Sequence, residues 1–69
     1  MYVVNIYIDT DKGPLFMREL VKVPNEFLAE KHVDRYNGQQ GHRKYKDGYT
    51  WLITPGKMYA MYDIAEEVI

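Results

Sequence analysis

The dipeptide Asp47-Gly48 is the feature that most constrains the fold of this chain. Asp-Gly is typical of the tight turns that join two antiparallel strands, because both residues tolerate the backbone conformations that such turns require. The residues on either side are rich in aromatic and β-branched side chains. We therefore predict a β-hairpin over residues 43–54, in which Lys44 pairs with Trp51 across the two strands.

A second hairpin is predicted nearer the beginning of the chain. Residues 2–8 alternate between two sets of side chains, as expected of a half-buried strand. A polar loop that includes Gly13 and Pro14 follows, and residues 15–23 then resume an extended pattern. Because the loop is short, the two segments are predicted to pair in the antiparallel direction.

Each hairpin is expected to lead into a helix. The first helix should start at Pro24 or Asn25 and end at Gly38, since Pro and Asn favour helix starts and Gly favours helix ends. Its apolar side is formed by residues at helical spacing: Leu28, Ala29, His32, Val33 and Tyr36. The second helix should begin at Thr54-Pro55 and carry a broad apolar arc over residues 58–69.

The chain has 69 residues, enough for one domain. The predicted order ββαββα indicates an α+β fold over residues 1–69, an antiparallel sheet with both helices on one face. The apolar arc of the second helix spans about 200°, which is wider than one sheet covers. We therefore predict self-association, or docking of another helix, through Met61, Ile64 and Val68.

The composition excludes several kinds of protein. There is no cysteine, and therefore no disulfide and no thiolate metal site. No apolar run approaches the roughly 20 residues that span a bilayer, and the first residues lack the pattern of a signal peptide. A cytoplasmic protein without a membrane segment, metal or cofactor is predicted.

No catalytic motif is present in the sequence. Serine and cysteine are both absent, and neither a phosphate-binding glycine loop nor a zinc-protease motif occurs. His32 lies within an apolar helical arc, which indicates a structural role. His42 precedes the basic hairpin and is the one candidate for a general base, as in a small ribonuclease. We predict that the protein is not an enzyme, with a small nuclease as a minor alternative.

The excess of tyrosine and the basic hairpin indicate binding. Seven tyrosines are many for this length, and tyrosine is common in binding hot spots. The predicted function is that of a non-enzymatic protein-binding module, such as an inhibitor, an antitoxin or a phage-type regulator. The predicted partner-binding residues are Arg43, Lys44, Tyr45, Lys46, Tyr49 and Tyr59.

Two alternatives remain open for the basic hairpin. Residues 42–51 combine cations with rings, so that the chain could instead be a nucleic-acid-binding domain. The lysines could also serve only to protect a sheet edge from aggregation. The formal net charge of −1 is lower than is usual for a dedicated nucleic-acid binder. A purely structural or assembly role is the last alternative.

Overall fold

In the computed structural model, which describes residues 1–65, one helix packs against a three-stranded antiparallel sheet. The strand order in this sheet is β2-β1-β5, and β3 and β4 form a separate two-stranded sheet. The small α+β fold is therefore confirmed. The elements are β1 (Tyr2–Thr10), β2 (Gly13–Val23), α1 (Glu26–Gln40), β3 (Arg43–Lys44), β4 (Trp51–Leu52) and β5 (Tyr59–Ile64).

The first hairpin confirms the prediction from alternation. β1 and β2 pair in the antiparallel direction from Tyr2 opposite Val23 to Thr10 opposite Gly13. The connecting turn is stabilised by the hydroxyl of Thr10, which donates to the carbonyl of Gly13 at 2.7 Å and accepts from the N–H of Lys12 at 3.2 Å. Gly13 has a φ of 108°, a conformation that glycine adopts without the penalty of a Cβ atom.

The core lies between one face of the sheet and α1. Val4 and Ile6 of β1 are fully buried, because alternate residues of a strand point to the same face. α1 covers them with Ala29 and Val33, and β5 adds Ala60. The opposite face of the sheet, with Val3, Asn5 and Tyr7 of β1, is not covered by the helix, and these side chains are only half-buried.

Local capping signals determine where α1 starts and ends. Asn25 is the N-cap, and its Oδ1 accepts from the N–H of Leu28 at 2.9 Å. The predicted end at Gly38 is wrong, since the helix continues to Gln40. Gly41 ends it instead, with a left-handed φ of 88°. A helix interior tolerates glycine at a cost of about 1 kcal/mol, so Gly38 alone does not stop the helix.

The predicted second helix is wrong, because this part of the chain forms β5. Thr54-Pro55 opens a turn instead of a helix, and Gly56 within it has a left-handed φ of 83°. β5 then pairs with β1, with Ala60 opposite Ile6. The broad apolar arc has a simple explanation, since a strand with apolar residues on both faces gives a wide arc on a helical wheel. The ββαββα order is therefore replaced by ββαβββ.

The second hairpin is present but smaller than predicted. Lys44 lies opposite Trp51, as predicted, and Arg43 lies opposite Leu52. Each strand has only two residues, and the pair does not join the main sheet. Trp51 is half-buried and packs against the core, so that the hairpin lies beside the core instead of extending the sheet.

Candidate functional site

The loop of the second hairpin is ordered by the side chain of Asp47. Its Oδ1 accepts from the N–H groups of Tyr49 at 2.8 Å and Thr50 at 2.9 Å, and its Oδ2 accepts from the hydroxyl of Thr50 at 2.7 Å. These bonds favour the carboxylate, and the N–H of Thr50 contributes most to lowering the pKa of Asp47. The backbone of this loop is therefore ordered, and the aromatic residues that it carries have defined positions.

Most of the predicted partner-binding residues lie on this hairpin and are accessible. Tyr45 is 54% exposed and Tyr49 is 79% exposed, and Arg43 and Lys46 are exposed as well. Lys44 is different, because its Nζ lies 3.0 Å from Oδ2 of Asp34 on α1. The structure thus brings five of the predicted residues together but engages one of the cations within the protein.

Tyr59, the sixth predicted residue, is not available to a partner, because only 4% of it is exposed. Its ring packs beside Tyr7 and lies nearly perpendicular to the ring of His42, and its hydroxyl donates to Oδ1 of Asp9 at 2.8 Å. Burial, aided by the bond to Asp9, raises the pKa of Tyr59 to about 12. The prediction assumed an outward position on a helix, whereas β5 places this residue against neighbouring elements.

His42, the candidate general base, has a structural position. The residue is 5% exposed. Its Nδ1 accepts from the N–H of Thr54 at 2.9 Å, and its Nε2 lies 2.8 Å from the carbonyl oxygen of Met58. A neutral ring with its proton on Nε2 satisfies both contacts. Both ring nitrogens therefore hold the connection between β4 and β5 in place.

A groove of about 490 Å³ runs between α1 and the hairpin, and we name it the α1–hairpin groove. Its floor is the outer edge of β5. Its two sides are a row of α1 residues and the aromatic side of the hairpin. The lining residues are Glu26, Glu30, Val33 and Asp34 of α1, Tyr59–Tyr62 of β5, and Tyr49, Trp51 and Ile53 of the hairpin and the segment after it.

Carboxylates dominate the charge on the helical side of this groove. Glu26, Glu30 and Asp34 are spaced four residues apart, which places them on one stripe of α1. At one end, the hydroxyl of Tyr62 donates to Oε1 of Glu26 at 3.1 Å, and this bond is the main reason why the pKa of Tyr62 is raised. At the other end, Asp34 pairs with Lys44.

Asn37 connects α1 to the edge of β5. Its side chain is completely buried. Oδ1 accepts from the N–H of Ala60 at 2.7 Å, and Nδ2 donates to the carbonyl of Ala60 at 3.1 Å. The amide therefore takes the place of a neighbouring strand at this one position. Because it is 23 residues from Ala60 in the sequence, no local pattern indicated this contact.

The predicted self-association residues are only partly within the structure. Met61 is 53% exposed on the uncovered face of the sheet, and Ile64 is 68% exposed at the end of β5. Val68 lies outside the described residues. The exposure of the first two agrees with an interface, and self-association stays a prediction.

The described part of the chain contains no helix long and apolar enough to cross a membrane. Within residues 1–65, no group of three or more histidine, cysteine, aspartate or glutamate side chains is placed to hold a metal ion. Comparison of the chain with protein-family models, with curated proteins and with solved structures found no match.

Proposed function

We propose that this chain is a non-enzymatic protein-binding module that acts by covering part of a partner protein's surface. The α1–hairpin groove is the observation that carries this proposal. It combines an open concave surface with the side chains of Tyr49, Trp51 and Tyr62. Tyrosine and tryptophan supply large contact areas at a low cost in conformational entropy, and they are enriched where proteins bind proteins.

The charges beside the groove favour a protein over a nucleic acid as the partner. A nucleic acid is bound through its phosphates, which carboxylates repel. The stripe of Glu26, Glu30 and Asp34 lies next to the hairpin, and Asp34 neutralises Lys44. Arg43 and Lys46 remain exposed and support the nucleic-acid alternative only weakly.

A binding role is also supported by the position of His42, the one candidate for a general base. His42 is buried and both of its ring nitrogens are used in contacts with the backbone. A general base must reach the proton that it removes. An accessible aromatic surface beside an inaccessible histidine favours binding over catalysis.

The test compares two exposed side chains of similar apolar character. Tyr49 lines the groove, whereas Leu15 lies on β2, across β1 from the groove, and is 53% exposed. The immobilised wild type and the variants Tyr49→Ala and Leu15→Ala are exposed to an extract of the source cells, with and without nuclease. We expect one protein to be retained by the wild type and by Leu15→Ala, with about tenfold less on Tyr49→Ala.

Two results would contradict the proposed function. The first is equal retention of the same protein by Tyr49→Ala and Leu15→Ala, since the groove would then not be the binding surface. The second is retention of nucleic acid in place of protein, with an affinity that falls steeply as salt is raised. The second result would support the nucleic-acid alternative, with Arg43 and Lys46 as the first residues to replace.

A further inference from the structure

We propose that the α1–hairpin groove binds an extended, basic segment of the partner protein, which adds as a strand along the edge of β5. This inference rests on the proposed function and specifies the partner's chemistry. In this arrangement, backbone groups of the segment bond to β5. Its lysine or arginine side chains contact the carboxylates of α1. Strand addition of this kind obtains affinity from the main chain and specificity from side-chain contacts.

Among residues 1–65, the backbone of β5 has one position at the groove whose N–H and carbonyl have no hydrogen-bond partner. The N–H and carbonyl of Ala60 point away from β1, because both bond to Asn37. Backbone direction repeats every two residues in a strand, so the same groups of Tyr62 and Ile64 also point outward. The N–H of Ile64 is taken by Oδ1 of Asp63 at 2.8 Å. β5 is an edge strand of the described sheet, and Tyr62 therefore presents a donor and an acceptor to an incoming strand.

The spacing of the carboxylates suits an extended chain. Residues four apart on a helix are separated by about 6 Å along its axis. Alternate residues of a strand point to one face and are about 6.6–6.8 Å apart. Basic residues at alternate positions of an extended segment therefore have nearly the spacing of Glu26, Glu30 and Asp34, which all line the groove. Glu30 is the middle member of this stripe.

The contacts of Lys44 indicate that this surface suits a cationic side chain. Its Nζ lies 3.0 Å from Oδ2 of Asp34 and 5.3 Å from the centre of the Trp51 ring. The protein's own cation thus occupies the combination of carboxylate and indole that we assign to a partner's cation. Its side chain is 33% exposed, so a competing cation can reach the same groups. Removal of the Lys44 charge should therefore strengthen the binding of a basic segment.

The probe is an acetylated, amidated peptide of about seven residues in which lysines alternate with valines. Binding is followed by the fluorescence of Trp51, the single tryptophan of the chain and a lining residue of the groove. Two matched peptides test the two halves of the proposal. One carries glutamate at every lysine position, and the other is N-methylated at the backbone nitrogens that would face β5. We expect saturable binding of the lysine peptide and about tenfold or greater losses for both controls.

Two pairs of protein variants locate the site. Lys44→Met keeps the apolar stem over Trp51 and frees Asp34, and we expect the lysine peptide to bind about two- to fivefold more tightly. Lys46→Met removes the same charge at an exposed position and should change binding by less than about 1.5-fold. Glu30→Gln should weaken binding about two- to fivefold. The control is Asp11→Asn, which also replaces a carboxylate by an amide but lies in the loop between β1 and β2. This variant should bind the lysine peptide as tightly as the wild type.

Several outcomes would overturn the inference. One is the absence of saturable binding at millimolar lysine peptide, and another is equal binding of the glutamate or N-methylated peptide. A third is a Lys44→Met variant that binds no more tightly than Lys46→Met. If any of these is found while Tyr49-dependent capture of a protein persists, the strand-addition inference fails and the proposed function stands. If the capture is also independent of Tyr49, both fail.

Discussion

Replacement of Asn37 by aspartate should destabilise the protein strongly, although the two side chains have nearly the same shape. The buried Asn37 accepts from the N–H of Ala60 at 2.7 Å and donates to its carbonyl at 3.1 Å. A carboxylate keeps the acceptor, loses the donor and places an oxygen against the carbonyl. An unsatisfied buried acceptor costs about 1–3 kcal/mol, and the buried charge adds to this. We expect Asn37→Asp to lower the free energy of unfolding by about 3–5 kcal/mol at pH 7.

The loss should depend on pH in a defined direction. A protonated carboxyl regains the donor, so the folded state favours the acid form and the pKa of the introduced group is raised above its unfolded value of about 3.9. The difference in unfolding free energy between wild type and variant should therefore be smallest below about pH 4. It should grow as the pH rises through the folded-state pKa of the introduced carboxyl group. For a chain of this length the total stability is about 3–10 kcal/mol, so the substitution should remove a third or more of it, and the urea midpoint at pH 7 should fall accordingly.

The matched control is the same chemical change at Asn25. Only Oδ1 of Asn25 is used, as the cap of α1, and a carboxylate at a helix start is favourable by about 0.3–1 kcal/mol. Urea unfolding, followed by Trp51 fluorescence and circular dichroism at pH 7 and pH 4, measures both variants. A free energy of unfolding of Asn37→Asp within about 1 kcal/mol of that of the wild type at pH 7 would contradict this prediction. A deficit that stays constant between the two pH values would also refute it.

Further predictions concern one hydroxyl and two glycines. Because the pKa of Tyr59 is raised to about 12, the stability from its hydroxyl is complete below about pH 10 and is lost as the pH rises through 12. Tyr59→Phe should remove the absorbance change of the last phenol to ionise in an ultraviolet titration; a loss of amplitude near pH 10 instead would contradict this. Gly41→Ala should cost about 1–2 kcal/mol, because its φ is 88°. Gly38→Ala, with nothing within 4 Å of the added Cβ, should stabilise by up to about 1 kcal/mol in thermal unfolding. Equal effects at the two glycines would contradict the assigned helix end.

Local signals in the sequence were sufficient for the first half of the chain. Alternation over residues 2–8 and the polar loop after them predicted the β1–β2 hairpin. The capping preference of Asn25 and the apolar spacing after it predicted α1. In these segments the secondary structure favoured by a few adjacent residues is the one that the protein adopts. Long-range contacts were therefore not needed to choose between helix and strand.

The second half depends on contacts that no short window contains. Residues 59–64 have apolar side chains compatible with a helix, but β1 has a free edge on which they complete the core as a strand. Propensity is a weak influence compared with such tertiary contacts. The same change of element moved Tyr59 from an expected outer surface to the interior.

The candidate groove could be predicted only in parts. The carboxylates Glu26, Glu30 and Asp34 have a visible helical spacing, and the exposed hairpin aromatics follow from the Asp-Gly turn. Their meeting across the edge of β5 could not be foreseen, because it requires β5 to be a strand. Asn37 gave no signal either, since an asparagine inside a helix is ordinarily solvent-facing.

The central place of β1 has a consequence for the order in which the molecule folds. Its pairing with β2 closes a short turn, whereas its partners in β5 lie 52 to 62 residues away in the sequence. Hairpins form within about 1–10 μs, but the entropy lost on closing a long loop delays distant pairing. Folding should therefore be limited by the docking of β5. Until then the unpaired backbone edge of β1 is open to other chains, and the yield of refolding should fall as protein concentration rises.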